Sequence, residues 1–412
     1  MESQLIRRGL WTSCLVVTLV LAPGVARGQT PWYLTGNDIS AGDFLGTTGA
    51  DDDLNIRVAN ARAFLIDATT GAPNIIGGWN QNGVAANVVG ATIAGGGVNY
   101  SPNGVGDNYG TVCGGFNNTV GDYDGDATDE YAATVGGGEA NLAEARYAVV
   151  AGGYGNAASA RYSVVGGGQS NSATGTEAFV GGGRSNSATS SMAFVGGGLS
   201  NSATGFYSFV GGGYSNEATG TSSTVPGGFD CAANGNYSFA AGYKAVASNS
   251  GCFVWSDGST SSALTCSTNN QAKLRTAGGV YWYTNSAMTN GVMLSAGSQT
   301  WSSISCTRDS KENIEDVDIA AVLEALEDVD VYTWRWRDED PSIRHMGPFA
   351  DDFYTAFGLG AGEGQLTTVD ADGVALAAIK ALHAENQELR EAIRELREEV
   401  AEIRRLLPPR RR

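Results

Sequence analysis

A tandem repeat of 15 residues occupies the middle of this 412-residue chain and limits its fold more than any other feature. Three glycines, or a close variant of them, start at position 136 and recur every 15 residues up to position 241. Asparagine follows the first six of these triplets at a constant offset of five residues. Helical hairpin repeats need about 30 residues or more, so the period excludes them.

Each unit supplies one apolar triplet, such as residues 178–180, then a glycine turn and a small polar stretch. A single strand of this kind cannot bury its apolar side, whereas stacked copies make a continuous core. Glycine suits positions with positive φ or close approach to the next turn. Asparagine tolerates the left-handed conformation, and it can also hydrogen-bond its own turn or form a ladder with neighbouring copies. The repeat predicts a mainly β fold, a parallel β-roll or β-helix solenoid.

The units, of the form VGGGxSNxATG, resemble the head repeats of trimeric autotransporter adhesins (YadA-like). That resemblance implies a left-handed parallel β-roll built as a trimer. The period here is one residue longer than in that family and includes an extra glycine.

Glycine clusters also occur in phosphate-binding loops, and this alternative applies to the repeats and to residues 358–364. A phosphate cradle needs one glycine-rich loop between a strand and a helix. Near-identical copies without an intervening helix favour a structural role for the glycines.

The N-terminus has the pattern of a secretory signal peptide. Arg7 and Arg8 precede an apolar run over residues 10–22, and small residues at 26 and 28 predict cleavage before Gln29. A retained anchor helix would need a longer apolar run. We therefore expect an exported protein, extracellular or on the cell surface, with no integral membrane segment after signal removal.

Charge and composition exclude several functions. The net charge of −18 disfavours nucleic-acid partners, which need basic surfaces. The chain has two histidines, His345 and His383, so histidine-rich metal sites are excluded and a serine triad would have to use one of them. We predict no cofactor and no metal.

An acidic insertion interrupts the early repeats. Asp122, Asp124 and Asp126 stand at positions 1, 3 and 5 of a calcium-loop pattern, but Ala127 and Ala133 replace the expected glycine and glutamate. The favoured interpretation is a solvated loop, with calcium binding as the alternative.

The sequence positions of the cysteines, together with the predicted solenoid, limit which pairs can form disulfides. Cys252 and Cys266 are close enough in sequence for a local disulfide. Cys113 and Cys231 lie seven turns apart, which is about 34 Å at the spacing of stacked strands. A disulfide needs Cα atoms within roughly 7 Å, so these two cannot pair within one chain.

The C-terminal segment changes character after Trp301. Residues 318–326 predict a helix and residues 329–336 a strand with Trp334 and Trp336 on one face. An unbroken heptad then predicts a coiled coil, against the alternative of a helix packed on its own domain. Its a positions are Ile379, Asn386, Ile393, Val400 and Leu407, and its d positions are Leu382, Leu389, Leu396 and Ile403. Glutamates at g precede arginines at e by five residues, which suits interhelical ion pairs.

Residues from about 301 to 384 resemble the chaperone of endosialidase family, a self-cleaving intramolecular chaperone at the ends of trimeric fibres. The matching stretches are RDSKENI, RHMGPFADDF and VDADGVALAAI. The resemblance implies a domain that trimerises the fibre, assists its folding and then cuts itself off.

The family's cleavage uses a serine five residues before a lysine, in a pattern similar to SDxxxK. Lys311 matches the lysine, while Cys306 stands at the serine position and Thr307 at the aspartate position. A thiol beside a lysine is a competent nucleophile, so Cys306 and Lys311 are the catalytic candidates. Ser305 and Ser310 are off-register alternatives. Thr307, Asn313 and His345 are candidates for supporting the site, and His345 has a structural role as its alternative.

The sequence thus divides into seven predicted segments. They are a signal peptide (1–28), a strand-rich segment (29–73), glycine-rich β-roll repeats (74–247), a β connector (248–300), a small α+β chaperone-like domain (301–374), a coiled coil (375–407) and a basic tail (408–412). We predict an exported homotrimeric, adhesin-like fibre whose partners are copies of itself and a host-surface or carbohydrate ligand. The alternatives are a carbohydrate-active tailspike-like enzyme, for which the repeats are poor in carboxylates, and a phage-type tail fibre.

Overall fold

The structure is a computed structural model that describes residues 53–406. The predicted signal peptide, Leu407 and the basic tail lie outside these residues. The described chain forms two compact units. The first holds residues 53–281 and Met293–Ser302, and the second holds Trp282–Val292 and residues 303–406.

Two parallel ladders of very short strands build the first unit. Each turn contributes one strand to sheet A and one to sheet B. Val149 pairs with Val164, and Val164 with Phe179, so each turn advances the chain by the predicted 15 residues. The described part of the chain completes about 13 turns, and the predicted parallel solenoid is confirmed.

Sheet A begins with an antiparallel cap and then alternates with sheet B along the chain. The cap strands are β1 (Leu54–Val58), β2 (Ala61–Asp67) and β3 (Asn74–Gly77). The later strands of sheet A are β5 (Thr92–Ile93), β7 (Thr111–Val112), β9 (Thr134–Val135), β11 (Val149–Val150), β13 (Val164–Val165), β15 (Phe179–Val180), β17 (Phe194–Val195), β19 (Phe209–Val210), β21 (Thr224–Val225), β22 (Gly228–Phe229), β24 (Phe239–Tyr243), β26 (Phe253–Ser256) and β28 (Ala272–Arg275). Sheet B comprises β4 (Gly83–Val84), β6 (Gly104–Val105), β8 (Thr119–Val120), β10 (Leu142–Ala143), β12 (Ala157–Ala158), β14 (Ser172–Ala173), β16 (Ser187–Ala188), β18 (Ser202–Ala203), β20 (Glu217–Ala218), β23 (Ala232–Ala233), β25 (Ala245–Ala247) and β27 (Leu264–Thr265).

The core of the solenoid is narrow and made of small side chains. In each regular turn the second residue of the sheet A strand is a buried valine, and its counterpart in sheet B is a buried alanine. Val180 and Ala188, for example, are both 0% exposed. Alternation along a strand sends one residue inward and its neighbour outward, which explains why two-residue strands suffice.

A ladder of buried asparagines satisfies the backbone between the two sheets. Asn201 Nδ2 donates to the carbonyls of Gly197 at 2.8 Å and Gly213 at 3.0 Å, and its Oδ1 accepts from the Asn216 N–H at 3.0 Å. The ladder alternative predicted for asparagine is therefore confirmed. The left-handed backbone lies instead at the preceding serine, as at Ser200 with φ of 58°.

We expect Asn201→Ala to destabilise the protein by about 2–3 kcal/mol, because it takes the acceptor from the buried Asn216 N–H and the amide donor from the part-buried Gly197 carbonyl. The neighbouring Ser200→Ala is the matched control, since Ala140 occupies the equivalent left-handed position in another turn. Thermal unfolding followed by circular dichroism checks both variants. Equal melting temperatures would contradict the role assigned to the ladder.

The structure contains the disulfide that the sequence spacing allowed. Cys252 and Cys266 form a disulfide with their Cα atoms 6.5 Å apart. Cys113 and Cys231 are free, the first exposed and the second buried. Cys231 takes the place of an asparagine in the ladder, where its N–H donates to Asn216 Oδ1 at 3.0 Å.

The remaining elements are few and short apart from one long helix. A three-stranded sheet contains β29 (Gly279–Tyr283), β30 (Gly291–Ser295) and β31 (Ser302–Ser303). The other elements are a 3-10 helix (Arg308–Ser310), α1 (Ile319–Leu326), β32 (Tyr332–Trp334), β33 (His345–Gly347), α2 (Ala350–Phe357) and α3 (Thr368–Leu406).

The predicted helix at 318–326 is confirmed as α1, with Asp318 as its N-cap. The predicted strand over 329–336 is shorter than expected. It ends at Trp334, because Arg335 turns its guanidinium onto the Glu339 carbonyl at 2.8 Å and closes a turn there. Trp336 consequently lies outside the strand, with its ring edge-on to Trp334.

Candidate functional site

Cys306 and Lys311, the predicted catalytic pair, lie on either side of the 3-10 helix. Cys306 belongs to the segment between β31 and this helix, and its thiol is exposed. Lys311 caps the C-terminal end of the helix, where its backbone N–H donates to the Arg308 carbonyl at 3.1 Å. The five-residue spacing therefore spans one tight turn of chain.

The side chains of this pair do not meet in the described structure, where no hydrogen bond joins Cys306 Sγ to Lys311 Nζ. Both residues are exposed. A lysine acts as a base only after burial or a neighbouring cation lowers its pKa, and the single chain does not bury Lys311. The chemistry would thus need a rearrangement or a covering surface that supplies this burial.

The candidate supporting residues are divided between two places. Thr307 is the N-cap of the 3-10 helix, and its carbonyl accepts from the Ser310 hydroxyl at 2.8 Å. Asn313 follows with a left-handed φ of 55°. These contacts shape the turn on which Cys306 and Lys311 lie. Ser310 is used in this turn, and Ser305 lies exposed beside Cys306.

His345 has a partner that the sequence did not reveal. Its Nε2 lies 2.8 Å from Glu339 Oε2, and its ring packs against Trp334 with centroids 4.8 Å apart. Antiparallel pairing of β32 with β33 places His345 opposite Trp334, and Glu339 lies in the connecting turn. In the sequence, the only sign of this contact was that Glu339 and His345 are six residues apart, close enough for a hairpin to bring them together. The contacts give His345 a structural partner set within its own hairpin.

The acidic insertion forms a cluster above a buried carboxyl. Oxygens of Asp122, Asp124 and Asp129 all lie within 4.8 Å of one another, and the three residues are exposed. Asp107 beneath them is 1% exposed, and its Oδ2 accepts from the Asp122 N–H at 3.1 Å. Burial, reinforced by the neighbouring carboxylates, raises the pKa of Asp107 to about 6.

This raised pKa predicts a pH dependence of stability. The folded protein holds the Asp107 proton more tightly than the unfolded chain, so the contribution of Asp107 to stability is fully present below pH ~4 and is lost as pH rises through about 6. We expect Asp107→Asn to stabilise the protein at pH 7 by on the order of 2 kcal/mol and to flatten this fall. Melting temperatures between pH 4 and 8 check it, with Asp230→Asn, an exposed carboxylate on another turn, as the control. A variant that keeps the wild-type slope would contradict the assignment.

α3 has two apolar stripes with different surroundings. Val374, Ala378 and Ala381 are buried, and this part of the helix packs against α1. The heptad positions form the other stripe, which is exposed along the described helix and includes the polar, equally exposed Asn386. Its apolar members are Ile379, Leu382, Leu389, Ile393, Leu396, Val400 and Ile403, at 41–63% exposure.

Asn386 uses its amide within the helix, where Nδ2 donates to the Leu382 carbonyl at 2.8 Å. Glu391 and Arg394 pair on the outer surface. No helix among the described residues combines the length and apolar composition needed to cross a bilayer.

Comparison with known proteins identifies one part of the chain. Residues 307–358 match the family model described as chaperone of endosialidase. The match contains Lys311, Asn313, Glu339 and His345, and it begins one residue after Cys306. A search of curated proteins finds no match for the chain.

Proposed function

We propose that the chain is the subunit of an exported homotrimeric fibre, and that its C-terminal unit is an intramolecular chaperone and trimerisation domain. The observation that carries this proposal is the combination in one chain of a parallel solenoid with the chaperone of endosialidase match. Such a combination fits a trimeric fibre or tailspike-like protein. A solenoid of stacked turns serves as the shaft or head that the C-terminal unit assembles.

Association through α3 follows from its unpartnered stripe. Eight successive a and d positions, counted from Ile379 to Ile403, keep the 3.5-residue period of a coiled coil. Arg390 and Arg404 lie at e, five residues after Glu385 and Glu399 at g. Parallel copies pair these opposite charges between helices, whereas antiparallel copies would bring e-position arginines together. Parallel association is therefore the arrangement that the charges favour.

Export is supported by the Cys252–Cys266 disulfide, because such bonds persist in oxidising compartments. The signal-peptide pattern before Gln29 agrees with this placement. In that setting the solenoid surface is available for adhesion to a host-surface or carbohydrate ligand. A phage-type tail fibre is the alternative that a cytoplasmic origin would favour.

Self-cleavage is the catalytic part of the proposal. Lys311 accepts the thiol proton of Cys306, the thiolate attacks the Ser305 carbonyl, and the peptide bond to Cys306 breaks as a thioester forms. The proton passes from Lys311 to the departing amine, and water then hydrolyses the thioester to a free carboxylate and thiol. Both side chains are exposed in the single chain, so assembly into the trimer would supply the burial that Lys311 needs.

A carbohydrate-active enzyme is the second candidate, and it needs paired carboxylates in a groove. The repeats offer isolated carboxylates, Glu177 at a corner and Glu217 on sheet B. The cluster at 122–129 is exposed and has three acids on one loop. The adhesive fibre therefore remains the function that we propose.

Substitutions in the exposed heptad stripe of α3 test the proposed assembly. We expect the purified full chain to have the light-scattering mass of a trimer, and the Ile393→Ser/Leu396→Ser variant to dissociate. Both side chains are about half exposed in the single chain, at 48% and 59%, so the change removes association and spares the folded subunit. Glu395→Gln, on the outer surface, is the matched control. A wild-type monomer would overturn the proposal, and a stable variant trimer would move the association elsewhere.

A further inference from the structure

The three outward-facing ladders of the solenoid differ sharply in chemistry. From Val149 onward the outward positions of sheet A are apolar apart from Thr224, and we call the following set the apolar face: Val149, Val164, Phe179, Phe194, Phe209 and Phe239. The earlier turns have threonine at this position. The corresponding positions of sheet B begin with Leu142 and Ala157 and end with Ala232, and between them they are polar: Ser172, Ser187, Ser202 and Glu217. The third ladder, formed by single bridges, mixes Glu139, Gln169 and Arg184 with aromatic residues. An apolar surface of this length on a single chain indicates an interface.

The phenylalanines of the apolar face stack on one another along the solenoid. Ring centroids of Phe179 and Phe194, and of Phe194 and Phe209, are 5.0 Å apart with the planes within 10°. Each ring face is therefore covered by the next ring, and the ring edges point outward. A sugar ring stacks on an exposed aromatic face, which this arrangement does not offer. The geometry thus disfavours a carbohydrate as the occupant.

The backbone beside the rings allows close approach. The first glycine of each triplet follows one residue after the inward valine, and the Phe179 ring extends over it: a Cβ built on Gly181 would lie 3.3 Å from Phe179 Cε1. Gly196 and Gly211 have the same relation to Phe194 and Phe209, at 3.5 and 3.4 Å. The rings are thus bordered by backbone without side chains, so another surface can reach the ring edges.

The regular spacing of the apolar face along the solenoid axis limits which partner can cover it. An occupant must offer apolar groups at the same spacing of about 4.8 Å over many successive turns. A second copy of the chain has this period by construction, and in a cyclic oligomer equivalent turns face one another. The same chain also exposes the heptad stripe of α3, whose period calls for copies of itself.

We infer that the apolar face of sheet A is the surface through which the solenoids of neighbouring subunits pack. The sheet B ladder then faces solvent and remains free for ligands. This inference rests on the proposed homotrimer. It specifies that the sheet A side of each turn faces the neighbouring subunits. It predicts that the aromatic column is buried in the assembly although Phe209 is 37% exposed in the single chain.

Cysteine accessibility tests the inference in the full chain. The background carries Cys113→Ser and Cys306→Ala, which remove the two exposed free thiols among residues 53–406, while Cys231 stays buried. Thr224→Cys places a thiol at the sheet A ladder position next to Phe209, and Ser202→Cys places one on sheet B. Both native residues are small and half-buried, so neither change disturbs the core.

We expect the thiol at 224 to react with a polymer-linked maleimide about tenfold or more slowly than the thiol at 202, since it must wait for subunits to open. A short bismaleimide should join subunits through 224 and not through 202. Comparable labelling of the two thiols in a confirmed oligomer, or cross-linking through 202 alone, overturns the inference and leaves the proposed trimer standing. A monomeric mass by light scattering overturns both.

A charge-insertion pair gives a second measurement that does not depend on thiol chemistry. Phe194→Lys puts a charge into the proposed interface, and Ser187→Lys puts the same charge on sheet B of the same chain. We expect the first to lower the oligomer mass or to shift its dissociation to lower urea concentration, and the second to leave both unchanged. Equal behaviour of the two variants contradicts the assignment of the interface to sheet A.

Discussion

Purified protein is expected to separate over time into a fragment of about 275 residues and one of just over 100, the lengths on either side of Cys306 in the chain from Gln29 to Arg412. Cys306→Ala removes the nucleophile and Lys311→Ala removes the base, so both variants should remain whole. Cys306→Ser should still cleave, because serine stands at this position in the family that the segment resembles. Denaturing gels with intact-mass measurement follow the reaction.

The control for this experiment is Cys113→Ala, which removes another exposed thiol and should leave cleavage unchanged. Because Cys306 and Lys311 are both exposed in the single chain, cleavage should also depend on assembly. The Ile393→Ser/Leu396→Ser variant is therefore expected to stay whole. A wild-type chain that persists for days, with Cys306→Ser equally inert, would show that the domain acts as a permanent trimeric cap without peptidase activity.

Gly198→Ala is expected to destabilise the solenoid by about 3–5 kcal/mol, whereas Gly197→Ala should be tolerated. Gly198 has a φ of +92°, and a Cβ there would overlap the Gly213 carbonyl oxygen of the next turn. That carbonyl accepts from the Leu199 N–H at 2.9 Å and from Asn201 Nδ2 at 3.0 Å. Left-handed strain and the displaced hydrogen bonds together account for the estimate.

Gly197 is the matched control because it is the adjacent residue of the same triplet. It lacks a left-handed φ, and its added Cβ would come no closer than 3.7 Å, to the Gly182 carbonyl oxygen. The expected difference in melting temperature between the two variants is roughly 10 °C for a unit of this size. Indistinguishable melting curves would contradict the turn-to-turn contact assigned to Gly198.

The repeat alone was enough to predict the parallel stacking, because a 15-residue unit with one apolar triplet has few ways to bury that triplet. It also excluded a Cys113–Cys231 bond, which follows from the period, and it left the asparagine ladder as one of the roles open to the asparagine. It did not reveal which residue of each turn is left-handed. Asparagine and serine are adjacent and both tolerate turns, so the choice depended on which side chain the core could bury with its hydrogen bonds satisfied.

The features of the C-terminal unit and of the acidic insertion fall into the same two groups, those that the sequence predicted and those that only the fold revealed. The family resemblance made Cys306 and Lys311 candidates, and local spacing predicted the heptad positions; both depend on residues close together in the sequence. The Glu339–His345 contact, the buried Asp107 and the packing of Val374, Ala378 and Ala381 near α1 were not predicted. Each depends on chain segments that meet through a hairpin, an insertion or a helix crossing.

By itself, then, the sequence determined the architecture that periodicity dictates: a solenoid of fixed period and a helix with a heptad stripe. The tertiary structure decided what surrounds each side chain. It made the outward phenylalanines of sheet A a stacked, partly exposed column, and it separated the α3 stripe that packs near α1 from the stripe left open. The reason is physical: a repeat specifies distances along the chain, whereas burial depends on which surfaces of the folded chain cover one another.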